Sequence, residues 1–192
     1  MITTMTKIAG LAIEALRHFN VVLGPGLTAD QVGTIEDTYD FKFNPDHAAL
    51  LSQASPAGWV DWLGDPGLVR RSLDWPVEGT IFDVEENGFW LAEWDPRPTI
   101  TSQAVDLARS YLAAVPRLVP IVGHRYQPAA PAPSGSPVFS VYQTDVIYYG
   151  ADLAAFCGYD LYGNKRAVHP HAQRVEFWSD LAEGIRPIDP PD

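Results

Sequence analysis

LDWPVEGTIFDVEENGFWLAEW, residues Leu73 to Trp94, is the stretch whose conformation settles the fold. It holds three of the six tryptophans, an alternating run from Thr80 to Val84, an Asn-Gly pair at Asn87-Gly88 and a second aromatic run from Phe89. Asn-Gly between two such runs is a hairpin signal, because both residues tolerate positive φ. Successive side chains of a strand point to opposite faces, so Ile81, Asp83 and Glu85 would share one face and Phe82 and Val84 the other. The stretch is therefore predicted as a β-hairpin with an apolar face on a core and an acidic face in water.

Upstream, the chain reads as consecutive helices. Ile8, Leu11, Ala12, Ala15, Leu16 and Phe19 fall at helical spacing between Lys7 and Phe19, which predicts an amphipathic helix. After the Gly24-Pro25-Gly26 break, Thr28 and Gln31 have the form of a capping box for a second helix reaching about Asp40. Asn44-Pro45 supplies a cap and a first-turn proline for a third helix, Pro45 to about Gln53. Trp59 to Trp62 is placed in a loop, and Asp65-Pro66 starts a short helix through Leu73.

Downstream, Thr101 or Ser102 caps a helix that Pro116 stops, and Leu118 to Tyr126 reads as a strand. Gln127 to Pro137, rich in Pro, Ala, Ser and Gly, is predicted as a flexible connection or long loop. Val138 to Tyr142 and Val146 to Tyr149 form a second hairpin, followed by a short helix from Asp152 to Cys157. Gly158 to His171 has no regular pattern, Arg174 to Gly184 closes with a short helix, and a Pro-rich tail follows. Helices first and an antiparallel sheet afterwards predict a single α+β domain.

The net charge of −11 disfavours a nucleic-acid partner, since phosphate binding rests on clustered Lys and Arg, and favours a basic protein partner. No run is long enough to span a membrane. A single cysteine, Cys157, points to a reducing compartment, and the cytoplasm is the expected location.

The segments IEDTYDFKFNPDHAALLSQ, WPVEGTIFDVE, PRLVPIVGHRY, PVFSVYQTDVIYYGADLAAF and FWSDL, taken in order, resemble the SUKH superfamily, which includes yeast cell-wall synthesis regulators and bacterial immunity proteins that neutralise polymorphic toxins. Ile35-Glu36, Phe43, Pro45 and Leu50-Leu51 carry the helix, joint and second helix of that pattern; Val141-Tyr142, Asp145 to Tyr148 and Asp152-Leu153 carry its strand pair and short helix. The chain departs from it at Asn44 and at Ser55 to Gly58, where an Asn-Gly-Gly is customary. The resemblance implies a non-catalytic binding domain with a helical layer on a curved antiparallel sheet. On it, residues 1–26 are an N-terminal helix and joint, 27–184 the SUKH-like domain with its loop at 127–137, and 185–192 the tail.

Among catalytic and ligating readings, His169 and His171, with His124, lack a clear third and fourth metal ligand, so no metal is expected. Cys157 beside Phe156 reads as a small hydrophobe, and no cofactor motif is present. Asp83, Glu85, Glu86 and Glu93 among Trp75, Trp90 and Trp94 allow a carbohydrate-active enzyme. The charge distribution favours binding instead. From Trp59 to Asp95 nine acids face only Arg70 and Arg71, so an acidic, aromatic surface is expected to hold a basic partner. Asp61, Trp62, Asp83, Glu85 and Glu86 are its expected contacts, as an immunity protein occluding a toxin or as a regulatory scaffold without one.

Overall fold

A computed structural model describes residues 6–160 and 172–184. The three helices of the first third are as the pattern predicts, and a strand pair that it does not predict joins them. Helix α1 (Lys7–His18) is capped by Thr6, and α2 (Ala29–Tyr39) carries the full Thr28/Gln31 capping box. Helix α3 (Pro45–Leu51) starts at Asn44 with Pro45 in its first turn. Two short strands, β1 (Leu23–Pro25) and β2 (Ala54–Pro56), pair antiparallel beside these helices.

The central stretch corrects the sequence-based expectation. Residues Pro66–Glu86 are one 21-residue helix, α4, not a short helix followed by a hairpin. Asp65 accepts from the Gly67 amide at 2.7 Å and Pro66 occupies the first turn. Val69, Leu73, Pro76, Thr80, Ile81 and Val84 form one buried face at helical spacing. Asn87-Gly88 is the stop of this helix, and Gly88 has φ +70°. The positive φ that suits a hairpin turn equally ends a helix. The amides of Asn87 and Phe89 both return to the Asp83 carbonyl, at 3.0 and 2.9 Å.

Pro76 lies inside α4, where it cannot donate to the Ser72 carbonyl one turn back. The Tyr126 hydroxyl donates to that carbonyl instead, at 3.1 Å. Burial pushes the Tyr126 phenol up, which keeps it a donor. The helix is thus repaired by a strand residue.

After α4 an aromatic loop buries Phe89, Trp90 and Leu91 and leads into α5 (Thr101–Leu112). The predicted strand Leu118 to Tyr126 is a hairpin: β3 (Leu118–Val122) turns into β4 (Arg125–Pro128). With β5 (Val138–Tyr142) and β6 (Asp145–Gly150) they form an antiparallel meander in the order β3-β4-β5-β6. Helix α6 (Leu153–Ala155), a π turn (Phe156–Asp160) and α7 (Trp178–Ala182) follow.

The domain is α+β, and helices cover both faces of the four-stranded sheet. Val119, Ile121 and Val138 join α1, α2, α3 and α6 in one core. Leu118, Tyr126, Phe139, Val141 and Val146 join α4, α5 and α7 in the other. Helix α1 is part of the first core through Ala9, Ala12, Ile13 and Leu16 rather than an appendage.

Of the two readings of the segment from Gln127 to Pro137, the structure shows the loop, whose residues 129–136 are fastened to α3 after β4 ends at Pro128. Asp46, fully buried, accepts from the Ser134 hydroxyl and the Gly135 amide, both at 2.7 Å. Asn44 donates to the carbonyls of Ala132 and Pro133 at 3.3 and 3.1 Å. Composition marks this segment as a loop but says nothing of the two side chains, nearly ninety residues earlier in the chain, that hold it.

Candidate functional site, the outer face of helix α4

The five residues expected to contact a partner do not form one surface. Trp62 is 6% exposed and packs against Tyr39, Phe41 and Phe43, with ring centroids 6.4, 5.7 and 5.0 Å away. It is a core residue, so its place as a surface anchor is corrected. Asp83 is 5% exposed. Its carboxylate accepts from Asn87 Nδ2 at 2.6 Å and from the amide and hydroxyl of Thr144 at 2.9 and 2.6 Å. Its acceptor sites are taken up inside the protein, so it too is withdrawn from the surface.

Asp61, Glu85 and Glu86 are exposed. Asp61 precedes α4 and the two glutamates end it, and the helix between them is about 30 Å long. Asp61 is occupied locally, accepting from the Leu63 amide at 3.2 Å. Only Glu85 and Glu86 remain together.

Helix geometry supplies the surface that strand geometry misassigned. At about 100° per residue, Asp74, Trp75, Glu78, Phe82, Glu85 and Glu86 fall within an arc of about 120°. All six are exposed. Trp75 and Phe82 keep 38% and 47% of their surface in solvent. Sequence reasoning missed both as anchors, although a helical plot of 66–86 separates them from Leu73, Ile81 and Val84.

The charges on this face are unevenly satisfied. Arg109 of α5 grips Glu78 with two bonds of 2.7 and 2.8 Å, which holds the Glu78 carboxyl below its usual range. Among the described residues Glu85 and Glu86 have no hydrogen bond or ion pair from their side chains. Both stand in the last turn of α4, where the negative end of the helix dipole opposes a carboxylate. Two side chains so placed weaken the fold and attract cations.

The chain matches no family model, no curated protein and no solved structure. Among the described residues no group of three or more His, Cys, Asp and Glu is placed to hold a metal ion; His169 and His171 lie outside them. Cys157 is buried, and burial pushes its thiol up. No helix among the described residues is long and apolar enough to cross a membrane. Of the four carboxylates that the carbohydrate-active reading names, Asp83 is buried under the Thr144 turn, whereas Glu85, Glu86 and Glu93 face solvent.

Proposed function

We propose that this chain is a non-catalytic, cytoplasmic binding domain that presents the outer face of α4 to a basic protein. The observation that carries the proposal is the pair Glu85 and Glu86, exposed, with no hydrogen bond to their carboxylates among the described residues and only the electrostatic pull of Arg109 on Glu85, at the helix end where folding least favours them. Phe82, one turn earlier on the same face, offers an apolar anchor framed by carboxylates, the arrangement in which interface energy concentrates. The resemblance to the SUKH superfamily gives the partner a class: a toxin with a cationic active-site surface, which α4 would occlude. A regulatory scaffold would use the same face with a different basic partner.

The test is a capture experiment from an extract of the source cells at low and high salt. The natural chain is compared with Glu85→Lys/Glu86→Lys and with Phe82→Ala. A basic protein held by the natural chain at low salt, released by salt and lost from both variants, is expected. For the immunity reading, that protein's toxicity must be relieved by the natural chain and not by the double variant. Equal retention by all three chains at both salt concentrations would sink the assignment of this face.

A further inference from the structure

Leu68, Trp75 and Phe82 stand seven residues apart on α4 and are 56%, 38% and 47% exposed. Seven residues return nearly to the same side of a helix, so the three form a straight apolar seam rather than scattered contacts. Beside Trp75 the seam opens into a groove of about 390 Å³ lined by Leu68, Arg71, Trp75, His124 and Tyr142. The Trp75 and Tyr142 rings meet there at 5.9 Å. Burial and the neighbouring Arg125 hold His124 below its usual range, leaving Arg71 as the cation of the groove.

The flank of the seam is self-complementary. Arg71 and Glu78 lie on the same side of it, one heptad apart; Arg71 has no ion-pair partner among the described residues, and Glu78, though gripped by Arg109, keeps half of its side chain in solvent and can accept a second cation. We propose that the seam is covered by a second copy of this chain, in a two-fold, antiparallel pairing of α4 with α4 centred on Trp75. In that arrangement Leu68 opposes Phe82 of the other copy, and Phe82 enters the groove beside Trp75. Arg71 faces Glu78 of the other copy twice, once from each side of the axis, as an isologous interface requires. Glu85 and Glu86 come to lie beside the first turn of the opposing helix, whose free N–H groups favour carboxylates. A parallel pairing would put Arg71 and Glu78 of the two copies on opposite flanks of the seam, where they do not meet. The pairing covers the face assigned above to a basic partner, so self-association and partner binding exclude one another.

The test uses the purified chain alone and so stands apart from any partner. Analytical ultracentrifugation is expected to show twice the monomer mass of 21.1 kDa. Arg71→Glu and Phe82→Glu should each raise the dissociation constant at least about tenfold, with far-UV circular dichroism unchanged. Under mild oxidation Trp75→Cys should cross-link to itself, since position 75 lies on the axis, while the buried Cys157 stays unreactive. Leu68→Cys should cross-link only when mixed with Phe82→Cys. A mass of 21.1 kDa at every accessible concentration overturns the proposal. So does a dimer that Phe82→Glu leaves intact, or one in which Trp75→Cys fails to cross-link.

Discussion

The carboxylate of Asp83 accepts both the amide and the hydroxyl of Thr144, at 2.9 and 2.6 Å. These residues lie on α4 and in the turn between β5 and β6, so one side chain joins the helix to the sheet's second hairpin. Gly79 makes room for the junction: a Cβ there would stand 3.0 Å from the Gln143 Cα. Asp83→Ala leaves the half-buried amide and hydroxyl of Thr144 without their acceptor and is expected to cost about 1–3 kcal/mol. Urea unfolding measures the loss, and faster amide exchange at Thr144 localises it. A loss below about 0.5 kcal/mol would mean the contact is not formed in solution.

Tyr126 and Pro76 are expected to be coupled. Tyr126→Phe strands the Ser72 carbonyl and should cost about 1–2 kcal/mol. In a Pro76→Ala background residue 76 regains an N–H for that carbonyl, and the cost of Tyr126→Phe should largely vanish. Additive losses in the double-mutant cycle would refute the compensation.

His47 should make the fold sensitive to acid. It is fully buried among Phe43, Trp59 and Trp62, and neither ring nitrogen has a partner. Burial lowers its pKa from 6.5 to about 3. The unfolded chain takes up this proton below about pH 6.5 while the folded chain refuses it. Stability is therefore full above that pH and falls on acidification by roughly 1.4 kcal/mol per unit. His47→Leu should flatten the limb between about pH 6.5 and 5, above the range where ordinary carboxylates titrate. An unchanged slope there would mean that His47 is solvated.

Glu85 and Glu86 should separate stability from binding. Glu85→Lys/Glu86→Lys puts cations at the negative end of α4 and is expected to raise stability by about 0.5–1 kcal/mol at low salt. Thermal melts at low and high ionic strength read this, and the gain should shrink as salt rises. A destabilised double variant would show that the two carboxylates support the fold.

What was legible in the sequence follows from how local each signal is. The caps at Thr28/Gln31 and Asn44-Pro45 act within one turn, and they place α2 and α3 closely. Asn87-Gly88 is equally local but ambiguous, because positive φ serves a hairpin and a helix stop alike. Pro76 is tolerated inside the helix only because Tyr126, fifty residues later, donates to the carbonyl it cannot reach, a compensation that no local signal shows. The misplaced helix carried the site with it. Read at strand spacing, Asp83 joins Glu85 on the surface; at helical spacing it turns inward, and Phe82 and Trp75 turn out. Trp62 was misjudged for a different reason: a loop residue near acids looks exposed, whereas the aromatic pocket that buries it comes largely from Tyr39, Phe41 and Phe43.

The sheet with a helical layer on each face has a consequence for how this chain can be divided. Val138 and Phe139 are neighbours in sequence, yet one closes the first core and the other the second. Neither half of the chain owns its own interior wall. A fragment beginning after β2 would keep every strand of the meander and still strip Val119, Ile121 and Val138 of the cover that α1, α2 and α3 supply. Such a piece would be adhesive rather than soluble, and deletions that seem to trim only the N-terminal helices would yield aggregates instead of a smaller domain.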